Sequence, residues 1–344
     1  MSEAELLGFL LTLQRECGGA IPFHRYMQEA LYHPKYGYYA AHIRDVGAVG
    51  DFSTAATLDQ GLGVAIAAWI SQRAKELQWR RIPVIEIGAG SGTLARSVLR
   101  NLDWKTRLGI NYMIQETSPV LRRRQEKFLS WEGVRWISSL EEELARSRGK
   151  ALIFSNELVD AFPCRLFQYQ SSNWNELGVK ISLEGSLSET FLAHPADNAW
   201  FEQFGTILEG QRVERLESFR EWLHVWSGYW KEGAILTIDY GETAEQLYRC
   251  RKGGSLRAYW RHQRFTGKDL YARFGKQDLT SDVNFSDLIT WGVELGWSHA
   301  PLLTQREFVQ KWLSETKHHP RSDRFSTPGE AGDAFKVLEQ RPAD

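Results

Sequence analysis

Cysteine is scarce. Cys17, Cys164 and Cys250 are the only three in 344 residues, an odd set with no CxxC pair, which argues against a disulfide framework and a structural zinc site. A charge excess is missing too. Lysine plus arginine number 42 and the acids 43, for a formal net charge of -1, so neither a nucleic-acid-binding tail nor an acidic disordered chain is indicated. Long hydrophobic runs are absent, and the N-terminal MSEAELLGFLLTLQREC lacks a basic segment ahead of its apolar residues. It reads as the amphipathic helix of a soluble, cytoplasmic protein. Internal repeats and low-complexity tracts are absent. His24, His33 and His42 share one segment but have no ligand spacing and no Cys or carboxylate to complete a set, so no metal site is expected.

What is present is a globular composition, 42% apolar and 25% charged, in a chain long enough for one enlarged domain or two joined ones. IPFHRYMQEALYHPKYGYYA predicts a helix and then a short extended piece, VGAVGDFSTAAT a glycine-rich loop, and DQGLGVAIAAWISQRAKEL a helix. From Pro83 short apolar strands (VIEIG, YMIQE, VRWIS, ALIFS) alternate with helices over 92–101, 118–129 and 139–147. This is the arrangement of a parallel sheet with helices on both faces. RLFQYQ and GVKISL alternate as antiparallel strands do. A helix is expected over 212–231, a buried strand at AILTIDYG, a helix at NFSDLITWGVELG and an edge strand at AFKVLEQR.

A strand running into glycines and then a helix presents backbone N–H groups and a positive helix end to a ligand. VIEIGAGSGTLARSVLR carries Gly88, Gly90 and Gly92, with Thr93 where a dinucleotide fingerprint has its third glycine. Glu86, two positions before the loop, suits a ligand with a sulfonium and an ammonium better than a pyrophosphate. Glu116 closes the next strand, where a carboxylate accepts both ribose hydroxyl protons in either cofactor class. The spacing therefore favours S-adenosylmethionine and leaves a nicotinamide dinucleotide as the poorer alternative.

FHRYMQEALYHPKYGYY, GDFSTAA, VIEIGAGSGTLA, ETSPVLRRRQ, SNELVDAFPCRLF, TIDYG and QDLTSDVNFSDL, in that order, resemble the MidA-type S-adenosylmethionine-dependent methyltransferases. That family includes the mitochondrial enzyme acting in assembly of respiratory complex I. The resemblance implies an α/β fold: a Rossmann-like methyltransferase core with a seven-stranded, mostly parallel sheet, an N-terminal helical extension and an inserted subdomain. The expected divisions are 1–60 for the extension and a cofactor-covering loop, 61–164 for the first part of the core, 165–230 for the insertion, and 231–344 for the rest of the core with acceptor-side loops. This chain has Ala55, Ala56 and Thr57 where the family usually continues GDF.T with proline and glutamate.

Carboxylates stand at the expected ends of two strands, the edge where open α/β sheets bind ligands. By the resemblance, Asn156, Glu157 and Asp160 are the catalytic group, with Asn156 also beside the cofactor. Cofactor contacts are expected from Asp51 and Thr54 of GDFST, from Glu86, Gly88, Ala89, Gly90 and Gly92, and from Glu116. Asp239, Tyr240, Asp278, Thr280 and Asp282 are expected on the acceptor side, although Thr280 or Asp282 would serve equally as a helix cap. The implied reaction takes S-adenosyl-L-methionine to S-adenosyl-L-homocysteine and methylates a protein arginine. A small-molecule acceptor, or an assembly factor that binds the cofactor without turnover, are the alternatives. No nucleic acid or membrane partner is expected, and a homodimer is compatible with the sequence.

Overall fold

A computed structural model describes residues 3–42, 60–195, 199–313 and 331–343; Asp51 and Thr54 lie outside the described residues. The chain divides into two compact units, each discontinuous in sequence.

The first unit draws on Met1–Ile43, Val159–Arg220 and Thr243–Asn284. Helix α1 (Glu3–Glu16) places Glu3 and Glu5 in its first turn and Arg15 in its last, matching the helix dipole, and buries Leu10 and Leu13. Gln14 fastens it to a strand: the Ile181 N–H donates to Gln14 Oε1 at 2.5 Å and Gln14 Nε2 donates to the Ile181 carbonyl at 3.2 Å. After β1 (Ile21–Pro22) and α2 (Phe23–Tyr32), Tyr38–His42 forms a π-helical turn instead of the expected extended piece. Gly37 turns the chain there. Its N–H donates to the His33 carbonyl at 2.7 Å, and an added Cβ would sit 2.5 Å from the His33 nitrogen. Strands β6 (Arg165–Gln170), β7 (Asn173–Ile181) and β8 (Leu187–Pro195) are antiparallel, as their alternation predicts.

Residues 212–231 differ from the expected single helix. Arg212–Arg215 is strand β9, paired with β6, and the helix that follows, α8, spans only Glu217–Trp226. Val213 is fully buried in a cluster with Phe167, Trp174, Phe201 and Phe204, so strand packing overrides the local helical pattern. Buried Glu214 accepts from the N–H groups of Ser255 and Leu256 and from Ser255 Oγ. These bonds tie 243–284, expected with the rest of the core, into this unit, which also holds helix α9 (Ala244–Tyr248), a three-stranded sheet of β11 (Arg257–Trp260), β12 (Gln263–Phe265) and β13 (Asp278–Thr280), and β14 (Val283–Asn284).

The second unit, from Arg44–Leu158, Glu221–Glu242 and Phe285–Asp344, is built on a mixed sheet. Strands β2 (Ile82–Ile87), β3 (Ile110–Gln115), β4 (Arg135–Ile137), β5 (Lys150–Asn156) and β10 (Glu232–Glu242) run parallel in the order β10-β5-β2-β3-β4. The order reverses between β2 and β5, the switch point at which doubly wound sheets bind ligands beyond the carboxyl ends of their strands. Helices α3 (Gln60–Glu76), α4 (Thr93–Asn101), α6 (Pro119–Phe128) and α7 (Leu140–Arg146) fall where expected; α5 (Trp104–Gly109), capped by Asp103, is additional. Trp69 and Ile70 of α3, Val98 of α4 and Val84, Phe154 and Leu236 of the sheet share one buried core.

Helix α10 (Phe285–Glu294) leads to β15 (Trp297–His299), β16 (Leu303–Thr304), α11 (Gln305–Leu313), α12 (Ala331–Ala334) and β17 (Phe335–Pro342). β17 is not the edge strand its position suggests. It pairs antiparallel with β10 on one side and with β15 and β16 on the other, burying Val337 and Leu338. No described helix is long and apolar enough to cross a membrane.

Candidate functional site

The glycine loop joins β2 to α4 at the switch point. Gly88, Gly90 and Gly92 all have positive φ (69°, 53° and 81°), conformations that L side chains rarely adopt. The Gly92 N–H donates to the Ala89 carbonyl at 2.8 Å and the Gly88 N–H to the Gln115 carbonyl at 2.9 Å. A Cβ on Gly88 would approach Leu158 Cδ1 to 2.8 Å. Glu86 is buried on β2 and accepts from the Tyr112 hydroxyl at 2.6 Å. Burial pushes its carboxyl up to about 7, against the lowering effect of the tyrosine hydrogen bond, and the nearby Glu116 charge adds to the rise.

Glu116 follows β3. The Ser118 N–H donates to its Oε1 at 2.9 Å and Gln125 Nε2 to its Oε2 at 2.8 Å; burial raises its pKa despite these bonds. Gln125 ends the motif ETSPVLRRRQ, but the surrounding LRRRQEKF has the composition of a solvated helix face and assigns it no role. Ser118 caps α6 and Pro119 opens it, which turns Leu121 and Gln125 inward. Gln125 is fully buried, donates also to the Gly90 carbonyl at 2.9 Å, and accepts from Trp136 Nε1 at 3.0 Å. One amide therefore joins the glycine loop, the Glu116 carboxylate and β4. An uncharged polar residue four after an apolar one, inside a basic helix, is the signal that could have revealed it.

At the end of β5, Asn156 Nδ2 donates to Glu157 Oε1 at 3.1 Å. Glu157 has φ +52°, a left-handed conformation uncommon for a non-glycine residue. Two backbone bonds hold it there: Glu157 N–H to the Ile238 carbonyl at 2.9 Å, and Leu158 N–H to Asp239 Oδ2 at 3.1 Å. Fully buried Asp239 also accepts from the Tyr240 N–H at 2.9 Å, so its carboxylate shapes the Glu157 turn. Tyr240 is half-buried and lies against Phe335, ring centroids 3.8 Å apart. Gln115 Oε1 and Asn156 Oδ1, on the strands flanking β2, are buried acceptors without a hydrogen-bond donor. Donor-poor oxygens beside a loop whose three glycines hold positive φ fit a ligand rich in N–H and O–H groups that approaches the backbone closely, as the ammonium and ribose of S-adenosylmethionine would.

The first unit gathers a second set. Thr280 Oγ1 donates to Asp160 Oδ2 at 2.6 Å, and the Tyr39 hydroxyl to Asp278 Oδ1 at 2.9 Å. Burial, reinforced by the Asp160 charge, pushes Asp278 up to about 7, and burial also raises Asp160. Asp282 is held by Arg251 and Arg257, and its N–H donates to Ser255 Oγ at 2.9 Å. Of the two residues expected as alternative helix caps, Thr280 thus serves Asp160 and Asp282 neutralises two arginines. Tyr39, the last residue of FHRYMQEALYHPKYGYY, and Arg257, which no motif marked, are further members. Among the described residues no group of three or more His, Cys, Asp or Glu side chains is arranged to hold a metal ion.

The sequence profile of a family described as S-adenosyl-L-methionine-dependent methyltransferases matches residues 65–301. The chain is 25% identical to the mitochondrial protein arginine methyltransferase NDUFAF7 homolog of Caenorhabditis elegans, over 85% of this chain and 72% of the relative. It is 26% identical to the NDUFAF7 of Danio rerio, over 85% and 73%. A crystal structure of a Burkholderia thailandensis protein bound to S-adenosyl-homocysteine, 27% identical, superposes with a TM-score of 0.84 over 98% of this chain and 92% of that one. With the parallel sheet, its switch-point glycine loop and the carboxylates around it, these likenesses make the chain a member of the S-adenosyl-L-methionine-dependent methyltransferase family, with the Rossmann-like fold of that class.

Proposed function

We propose that the protein methylates an arginine side chain of a protein acceptor, in the cytoplasm. The observation that carries the acceptor class is the set of buried carboxyls, Asp160 and Asp278 with their hydroxyl partners Thr280 and Tyr39, since a guanidinium needs carboxylates to orient it. The names of the NDUFAF7 relatives support the same acceptor. Three cysteines without a disulfide fit a reducing compartment.

When bound, S-adenosylmethionine supplies an electrophilic methyl group on a sulfonium. Gly88, Ala89, Gly90 and Gly92 offer backbone to it, Glu116 the ribose-facing carboxylate, Asn156 Oδ1 an acceptor for its ammonium, and Glu86 a buried acid whose ionised form favours a cation. Asp51 and Thr54 complete the cofactor set. Glu157 and Asp160 orient the acceptor nitrogen and take up the proton it sheds, because an arginine nitrogen has no available lone pair while its group stays fully protonated. Asp239 and Tyr240 hold the Glu157 turn on the acceptor side.

Labelled methyl transfer into host lysate tests this. Label is expected in protein, recovered after hydrolysis as methylarginine, and about a hundredfold less with Glu157→Ala while cofactor binding persists. Label confined to small molecules would overturn the protein-arginine reading, and unchanged labelling in the variant would remove Glu157 from the catalytic group.

A further inference from the structure

Charge is balanced over the whole chain but not along it. Arg249 to Lys276 contains nine lysines and arginines and a single acid, Asp269. Arg251 and Arg257 are spent on Asp282. Six others, Arg249, Lys252, Arg261, Arg264, Lys268 and Lys276, are exposed, and none forms an ion pair among the described residues.

Three of these cations belong to the β11–β12 hairpin or directly follow it. Its two-residue turn is Arg261-His262, with φ of +49° and +61°, where the same turn ordinarily selects Asn-Gly. Arg261 lies over the Trp260 ring at 4.5 Å, and Arg273 over Trp260 and Phe265 at 4.6 and 4.5 Å. Stacking orients a guanidinium and leaves its N–H edge for an anion. Arg273 Nη1 is buried and has no acceptor.

The hairpin grows from the strand beside the carboxyls. Tyr259 of β11 is paired with Asp278 of β13 and Arg257 with Thr280. Arg261 follows two residues after Tyr259, about 7 Å further along the strand direction. One small sheet thus carries buried Asp278 on one outer strand and, at the same level across Tyr259, exposed Arg264 on the other, with Arg261 at the turn.

We propose that the β11–β12 hairpin selects acceptors whose methylated arginine is flanked, a few residues away, by aspartate or glutamate. This rests on the arginine reading above. A segment with a central cation and acidic flanks complements both signs of the sheet, whereas a phosphate polymer would set negative charge against Asp160 and Asp278. Lipid insertion and base stacking both call for exposed apolar or aromatic side chains. The exposed large hydrophobics of the described residues include none between Arg249 and Lys276.

The test is fluorescence anisotropy with the full chain and short labelled peptides bearing one central arginine between glutamates or between serines, each also made with glutamine in place of the arginine. The acidic-flanked arginine peptide is expected to bind at least ~tenfold more tightly than its serine counterpart, with the preference shrinking as salt rises. The triple variant Arg261→Glu, Arg264→Glu, Lys268→Glu should lose the preference while binding S-adenosylmethionine with unchanged affinity by calorimetry, which certifies its fold. Equal binding of the two flanks, no peptide binding, or a preference that survives in the variant overturns the proposal. So does tighter binding of an RNA oligonucleotide or of phosphatidylglycerol vesicles than of the acidic peptide. If the flank preference appears but arginine and glutamine peptides bind alike, the hairpin assignment stands and the arginine reading is what fails.

Discussion

Gln125 uses a single amide to hold Gly90, Glu116 and Trp136, so its removal unpairs buried groups on three elements at once. Each group left without a partner costs about 1–3 kcal/mol. Gln125→Leu is therefore expected to lower unfolding free energy in urea and to weaken S-adenosylmethionine binding about tenfold or more by calorimetry. Gln125→Glu keeps the shape and the Trp136 acceptor but sets a second acid against Glu116, and should retain more stability than affinity. Equal affinity in all three proteins would reduce Gln125 to packing. At Gly88 the conflict is conformational. With φ +69° and Leu158 Cδ1 at 2.8 Å, Gly88→Ala is expected to cost about 1–2 kcal/mol, measured by thermal denaturation, and to impair cofactor binding. The positions of Gly88, Gly90 and Glu86 were legible in sequence because backbone geometry permits few residues there. Gln125 was not, because a helix's inward face depends on what packs against it.

At the scale of elements, the Glu157 turn is set by a neighbour more than eighty positions away: Asp239 on β10 receives the Leu158 N–H. Asp239→Asn can present its amide in the wrong sense and is expected to lower turnover while leaving cofactor affinity within a few fold, a split that kcat and calorimetry would separate. The parallel strands were legible as short apolar runs between capped helices. β9 was not, because four residues with one buried valine cannot be told from the start of a helix until β6 pairs with them. β17 is the sharper case. As an interior strand it covers β10 and buries Val337 and Leu338, so a chain ending at residue 334 is expected to be insoluble or to lack cooperative unfolding by circular dichroism. Soluble, cooperatively folding protein from that truncation would show that β17 is dispensable.

Across the whole molecule, each unit stores one carboxyl pushed up to about 7, Glu86 in one and Asp278 in the other. The folded chain keeps these protons at pH values where the unfolded chain has released them. Their contribution to stability is full below the ordinary carboxylate range and is lost as pH rises through about 7. Without cofactor, the melting temperature is expected to fall between about pH 5 and about pH 8, and Glu86→Gln to flatten part of that fall. A variant profile parallel to the wild type would deny Glu86 its raised pKa. Saturating S-adenosylmethionine should raise stability by about 2.7 kcal/mol at a hundred times its dissociation constant, with no shift from NAD.

Sequence alone determined the class of sheet, the glycine loop with its preceding acid and the family, because these depend on local periodicity and on conformations open to few residue types. Tertiary structure alone decided which polar side chains act together. Gln125 with Glu116, Tyr39 with Asp278, Thr280 with Asp160 and Asp239 with the Glu157 turn are partners separated by nine to two hundred and thirty-nine positions. Such pairings follow from strand order and burial, where a polar group must find a partner or pay for its desolvation, and no local pattern records them.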